Sequence, residues 1–188
     1  DASSLDALST LEDVELLAYT AGDDRLYVTG ADSLRVLDAD TAKLLLNSKL
    51  PQDQKVLALA VDPTAGRIYL AQQNANGYRL ALYDAATLEG ITTVDLPDWP
   101  DALLADPDRG WLYITTSSED GYLLWILDSE GALVQELSLG DRYQDNYLAL
   151  DSEGGRLFLG RDDYGNYGLS VIGLDTWEVR ADIPLRYG

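Results

Sequence analysis

Apolar positions along the chain come in short runs flanked by polar and turn-forming residues, and they seldom recur at the helical spacing. Only Ser3 to Leu16, where Leu5, Leu8 and Leu11 fall three apart, departs from this pattern. One run recurs as Arg25-Leu26-Tyr27-Val28, Arg67-Ile68-Tyr69-Leu70, Trp111-Leu112-Tyr113-Ile114 and Arg156-Leu157-Phe158-Leu159. Its aromatic positions lie 42, 44 and 45 residues apart. Ahead of each copy sits a second run: Leu16-Leu17-Ala18, Leu59-Ala60-Val61, Leu103-Leu104-Ala105 and Leu148-Ala149-Leu150. After each comes a third, ending on Asp38, Asp84, Asp128 or Asp175. A fourth closes each unit, over Leu44 to Leu50, Ile91 to Leu96, Leu133 to Leu139 and Val179 to Leu185. Four registers that agree across four units define a repeat.

Runs this short, bounded by turn residues, predict strands. Asp62-Pro63-Thr64-Ala65-Gly66, Asp106-Pro107-Asp108-Arg109-Gly110 and Asp151-Ser152-Glu153-Gly154-Gly155 join the first and second strands. In such turns Asp accepts from amides ahead of it, Pro presets φ and Gly takes positive φ. Asn76-Gly77, Asp120-Gly121 and Gly165-Asn166 are hairpin signals between the second and third strands. Four strands per unit of about 45 residues predict an all-β fold, a β-propeller of four visible four-stranded antiparallel blades. The expected blades are residues 14–54, 55–100, 101–143 and 144–188, with 1–13 the tail of a preceding blade or an N-terminal extension. A blade cannot bury its faces alone, so blades stack around an axis. Part of a larger propeller is the expected architecture; the alternatives are a closed four-bladed ring and a half-propeller completed by a second chain. An uncovered end blade would expose an apolar face, so a protein partner or oligomer is expected over the terminal blades.

The first unit carries a family resemblance. Leu26-Tyr27-Val28-Thr29-Gly30, followed by Leu34-Arg35-Val36-Leu37-Asp38-Ala39-Asp40-Thr41, resembles the YVTN-type propeller repeat of YncE-like and WD40-like proteins. Looser matches are Tyr69-Leu70-Ala71, Tyr113-Ile114-Thr115 and Phe158-Leu159-Gly160, with Asp84 and Thr87, or Asp175 and Thr176, downstream. Gly30 stands where the motif has Asn, and the family's propellers have more blades than are visible here. The resemblance implies a surface-exposed or periplasmic binding or scaffold protein.

Composition narrows the chemistry. With 33 acidic residues against 13 basic ones, the net charge is −20, which disfavours nucleic acid and anionic membranes as partners. No apolar run is long enough to insert in a membrane as a helix. Cysteine and histidine are both absent, which removes thiolate nucleophiles, Ser-His-Asp triads and the usual zinc sites. Methionine is absent even at position 1, so the chain is a mature form, an excised domain or a portion of something longer. An extracellular, periplasmic or cell-envelope location, its leader removed, is expected.

Candidate residues then weigh as follows. The strand-ending Asp38, Asp84, Asp128 and Asp175 are expected to cap their turns rather than to form a catalytic ring. Asp162, Asp163 and Asn166 offer hard oxygen donors as calcium would prefer, but without the EF-hand pattern, so a solvated hairpin tip is expected and no metal or cofactor is assigned. The loops between second and third strands share one face of a propeller with the loops between blades. That face gathers Tyr78, Trp99, Tyr122, Tyr143, Asp162, Asp163, Tyr164 and Tyr167, aromatic rings among acids, which suits a protein, peptide or glycan ligand. The expected function is therefore a non-enzymatic binding or scaffold module. The alternatives are a calcium-dependent or quinoprotein-like propeller enzyme, of lactonase or dehydrogenase type, and a purely structural propeller subunit.

Overall fold

In each unit the second and third strands are apolar on both faces, which only a sheet packed on both sides can satisfy. The structure, a computed structural model describing residues 14–118, 121–140, 144–163 and 166–185, shows four such sheets. Blade 1 consists of β1 (Leu16–Thr20), β2 (Arg25–Gly30), β3 (Ser33–Asp38) and β4 (Leu44–Lys49). Blade 2 consists of β5 (Lys55–Asp62), β6 (Arg67–Asn74), β7 (Gly77–Asp84) and β8 (Gly90–Leu96). Blade 3 follows with β9 (Trp99–Asp106), β10 (Trp111–Ser118), β11 (Gly121–Asp128) and β12 (Leu133–Gly140). Blade 4 has β13 (Gln144–Asp151), β14 (Arg156–Asp163), β15 (Asn166–Gly173) and β16 (Val179–Leu185). Every sheet runs antiparallel in chain order, and no helix occurs among the described residues.

β1, β5, β9 and β13 are neighbours in that order, so the first strand of each blade lines the axis. The fourth strands lie outermost and largely exposed. Between successive blades lie three apolar clusters. Tyr27, Leu34 and Val36 meet Ile68 and Leu70; Tyr69, Leu80 and Leu82 meet Leu112, Ile114 and Leu127; Tyr113, Leu124 and Ile126 meet Leu157, Ile172 and Leu174. The aromatic position of the second strand is thus an inter-blade position, and Tyr27, Tyr69 and Tyr113 are at most 1% exposed.

Each of these rings meets the turn between the third and fourth strands of the following blade. Tyr27 shares its cluster with Ala85 and Leu88, the Tyr69 hydroxyl donates to the Ser129 carbonyl at 3.2 Å, and Tyr113 lies 6.4 Å from the Trp177 ring in an edge-on arrangement. The receiving turns share a left-handed residue: Leu88 (φ 60°), Gly131 (φ 88°) and Trp177 (φ 57°), with Ala42 (φ 52°) the counterpart in blade 1. Positive φ in Leu and Trp is strained. Burial of Leu88, and contact of the Trp177 ring with Trp111, centroids 5.0 Å apart and planes tilted by 45°, offset that strain. At Gly131 the approach is closer still, because a Cβ there would stand 2.9 Å from Val94 of blade 2.

Two expectations need correction. β15 ends on Gly173, which pairs with Arg156 as Asp84 pairs with Arg67, so Asp175 lies within the following turn and not at the strand end. β9 begins at Trp99, ahead of the expected blade boundary at 100/101, because Trp99 and Pro100 pair with Ser117 and Thr116. The expected three-residue spacing at Leu5, Leu8 and Leu11 falls outside the described residues.

Replacing Tyr69 or Tyr113 with Ala should cost about 3–5 kcal/mol in denaturant unfolding, as for other large buried rings. Tyr69→Phe, which removes only the bond to Ser129, should cost about 1 kcal/mol. Equal losses for the two Tyr69 variants would contradict the packing role. Gly131→Ala should destabilise by roughly 1–3 kcal/mol through the clash with Val94 and the unfavourable φ.

Candidate functional site

The ends of the blades divide into two faces of different character. One carries the turns between first and second strands and between third and fourth. Here Asp side chains accept from backbone amides, as anticipated for Asp38, Asp84 and Asp128. Asp38 receives Thr41, Asp84 receives Ala86 and Thr87 at 2.9 Å each, and Asp128 receives Glu130 and Ala132 at 3.0 and 2.8 Å. Asp62 and Asp151 do the same in the other turns. Asp106, fully buried, sits at the seam of blades 3 and 4. It accepts from the Tyr113 hydroxyl at 3.3 Å, the Ser152 hydroxyl at 2.9 Å and Arg109 at 3.3 Å. Arg109 also donates to the Ser152 carbonyl at 2.9 Å. These carboxylates are committed to holding turns and blades together.

The opposite face carries the hairpin tips and the inter-blade connections, side by side as the Leu50 amide donating to the Asp32 carbonyl at 2.8 Å shows. Tyr78, Tyr122 and Tyr167 are each the second residue of a third strand, β7, β11 and β15, and each is half-buried. They stand in strands, not in loops as expected, and they occupy one repeat position. Blade 1 has no counterpart because its hairpin is shorter: Gly30 pairs with Ser33, and Asp32 falls at the tip. Trp99, likewise expected in a loop, opens β9 beside the axis and is 38% exposed. It meets Tyr78 across the seam of blades 2 and 3, ring centroids 5.6 Å apart and planes at 67°. Of the expected aromatic set, the structure brings this pair together. Asp162 and Asp163 pair through their backbones with Tyr167 and Asn166; their side chains, and Tyr143 and Tyr164 altogether, lie outside the described residues.

Sequence reasoning missed what lies beside the pair. Lys55, Gln73, Tyr78 and Leu96 form one cross-strand row through β5, β6, β7 and β8. Gln73 links the aromatic pair to an open recess of about 370 Å³ lined by Gln52, Asp53, Gln54, Lys55, Gln73 and Asn74. Every lining residue is polar. Of the lining amides, Gln54 Oε1 is buried without a partner. Buried amide groups left unpaired are unusual enough to mark where a ligand or water bonds. A second recess, against β8 between Ala81 and Thr93, lacks such convergence of amides. The signal in the sequence was the alternation Gln52, Gln54 and the run Gln72-Gln73-Asn74, residues that neither a strand nor a turn requires there. Among the described residues no three carboxylates gather closely enough to hold a metal ion.

No family model matches the sequence, and no curated protein does. Solved structures do resemble it. Kuenenia stuttgartiensis hydrazine synthase superimposes with a TM-score of 0.76 at 17% identity, over 95% of this chain and 51% of that one. The dihydro-haem d1 dehydrogenase NirN in complex with DHE gives 0.65 at 11% identity, over 94% and 38%. The β-propeller domain of Myceliophteria thermophila Cps50 (Swd1) gives 0.64 at 14% identity, over 94% and 57%. The fold is that of a β-propeller. This chain spans about half, or less, of the length of the propeller chains it matches. At these identities the likeness carries the fold and no activity.

The capping carboxyls are made more acidic by their partners. Bonds from the Thr87 and Ala86 amides hold Asp84 below the ordinary 3.8, the Thr41 hydroxyl and amide do so for Asp38, and Arg156 with the Gly154 amide does so for Asp151. Stability supplied by these turns is complete above the ordinary carboxylate value and is lost as the pH falls toward the lower, folded-state value. Asp84→Asn should therefore flatten the fall in unfolding free energy as the pH drops through and below the ordinary carboxylate value. An unchanged acid limb would show that the cap contributes nothing.

Proposed function

We propose that the chain is a non-enzymatic binding or scaffold module, part of an extracellular or cell-envelope assembly, that takes a protein, peptide or glycan segment on its hairpin face. The observation that carries this reading is the half-exposed Tyr78–Trp99 pair standing, through Gln73, beside a recess lined by polar residues. Rings at an edge-on contact offer broad contact area at little entropic cost, and the amides of Gln52, Gln54, Gln73 and Asn74 offer donors and acceptors to hydroxyls or peptide groups. The net charge of −20 suits an exported, solvated surface and disfavours polyanionic ligands. Commitment of Asp38, Asp84, Asp106 and Asp128 to turn amides and seam groups is what weighs against an enzyme built on carboxylates. The partner reading belongs here too, a protein partner or oligomer covering the terminal blades.

The test is selection of phage-displayed random peptides, and of a panel of immobilised neutral oligosaccharides, against the wild-type chain and the Tyr78→Ala/Trp99→Ala variant. Ligands recovered by the wild type should bind the variant about tenfold or more weakly, the loss expected when an interface loses its aromatic anchors. Equal binding by both, or no enrichment from either library, would overturn the reading.

A further inference from the structure

The hairpin tip of blade 2 carries a side chain that its turn does not use. β6 and β7 are joined by Ala75 and Asn76 alone, since Asn74 pairs with Gly77. The chain reverses there because Gly77 takes φ 127°, a conformation that favours glycine. The Asn74 side chain steadies the reversal by accepting from the Asn76 backbone amide at 2.8 Å. The turn therefore calls for Gly at 77 and an acceptor at 74. Asn76 itself is exposed, and its side chain has no hydrogen-bond partner among the described residues.

An asparagine is chemically least protected when glycine follows it. The backbone nitrogen of the following residue can attack the side-chain carbonyl carbon, and a side chain on that residue is what ordinarily crowds the approach. Gly77 has none, and a Cβ built there would meet nothing within 4 Å, so the space around it is open. In blade 3 the matching Gly121, at φ 130°, is closed in by the Gly140 carbonyl oxygen, 3.3 Å from where its Cβ would stand. Of the five asparagines in the sequence, Asn76 is the one that glycine follows. Asn47 is also exposed but precedes Ser48 inside β4, and Asn74 precedes Ala75.

We propose that Asn76 and Gly77 form a site of self-modification, at which the Gly77 nitrogen closes on the Asn76 side chain. The Gly77 amide gives its proton to hydroxide, and its nitrogen attacks Cγ of Asn76. The N–Cγ bond forms, the Cγ–Nδ2 bond breaks, and Nδ2 leaves as ammonia, its third hydrogen supplied by water. Water then opens the five-membered imide. Cleavage of the new N–Cγ bond leaves aspartate at 76. Cleavage of the other ring bond, from the Gly77 nitrogen to the Asn76 main-chain carbonyl carbon, leaves isoaspartate, whose backbone runs through the former side chain. Nothing is oxidised or reduced; water is consumed and ammonia released. Either product puts a carboxylate at the tip, two residues from Asn74 at the rim of the polar recess. Isoaspartate also lengthens the turn by one backbone carbon ahead of Tyr78. The inference stands on the hairpin tip alone and holds whether or not the recess takes a ligand.

The full chain would be incubated in mildly alkaline buffer at physiological temperature, digested with trypsin, and followed by tandem mass spectrometry and an isoaspartate-specific methylation assay. The fragment Ile68–Arg79 should exchange one NH2 for OH at Asn76 rather than Asn74, and should resolve into two products of equal mass. Conversion of Asn47 in the fragment Leu44–Lys49 should be at least about tenfold slower, and Gly77→Ala should slow Asn76 by a similar factor, each about 1.4 kcal/mol in barrier. If Gly77→Ala fails to fold, the comparison of Asn76 with Asn47 in the wild type decides alone. No conversion at Asn76, or conversion spread evenly over Asn47, Asn74 and Asn76, would overturn the proposal. Aspartate without isoaspartate would overturn it too, because direct hydrolysis needs no attack by Gly77.

Discussion

The structure depends on one repeated contact, an aromatic ring of a blade's second strand pressed under a left-handed turn of the next blade. Sheets stacked face to face have no reason of their own to keep a fixed rotation about the axis. A ring that must fit under a specific turn supplies one. The contact appears at three successive seams with three different chemistries: Tyr27 against Leu88, Tyr69 bonded to the Ser129 carbonyl, and Tyr113 beside Trp177. What stays constant is the geometry. The turn residue takes positive φ whether it is Leu, Gly or Trp, and the strain this imposes on Leu88 and Trp177 is offset by the burial it achieves.

That contact also explains how the two ends of the molecule divide their work. The turns that receive the rings must be rigid, so carboxylates such as Asp84 and Asp128 are drawn onto their amides, and at the turn between β9 and β10 Asp106 accepts from two hydroxyls and a guanidinium. The hairpin end carries no such duty. Beyond the Tyr78–Trp99 contact across the seam of blades 2 and 3, that end gathers the amides of Gln52, Gln54, Gln73 and Asn74 around an open recess. An end freed from structural work is where a propeller has room for recognition.

How much of this the sequence revealed follows from how local each signal is. Strand runs and their spacing are local, so the four sheets and the equivalence of Tyr27, Tyr69, Tyr113 and Phe158 were legible. The amide-binding role of Asp84 was legible too, because an Asp three residues before a Thr has little else within reach. Asp175 misled because it looks like Asp84 in sequence, while pairing of Gly173 with Arg156 shifts the strand end by two residues. Trp99 and Tyr78 were foreseen as rings on one face, but not as a contacting pair. Their meeting depends on which side of each sheet faces the next blade, and that is fixed by the strand register within each blade. Gln73 and its recess stayed hidden for the same reason. The half-buried state of Phe158, against full burial of its counterparts, is likewise a property of the neighbour and not of the residue.

A double-mutant cycle across the seam of blades 3 and 4 tests the central claim most directly. Unfolding free energies would be measured for the wild type, Tyr113→Leu, Trp177→Leu and the pair, in one denaturant at one pH. If the ring and the left-handed turn act as a unit, the two losses should fall short of additivity by about 0.5–1.5 kcal/mol, the coupling expected of an edge-on aromatic pair. Additivity within about 0.3 kcal/mol would mean that the ring and the turn stabilise the fold separately, and the seam would need another explanation.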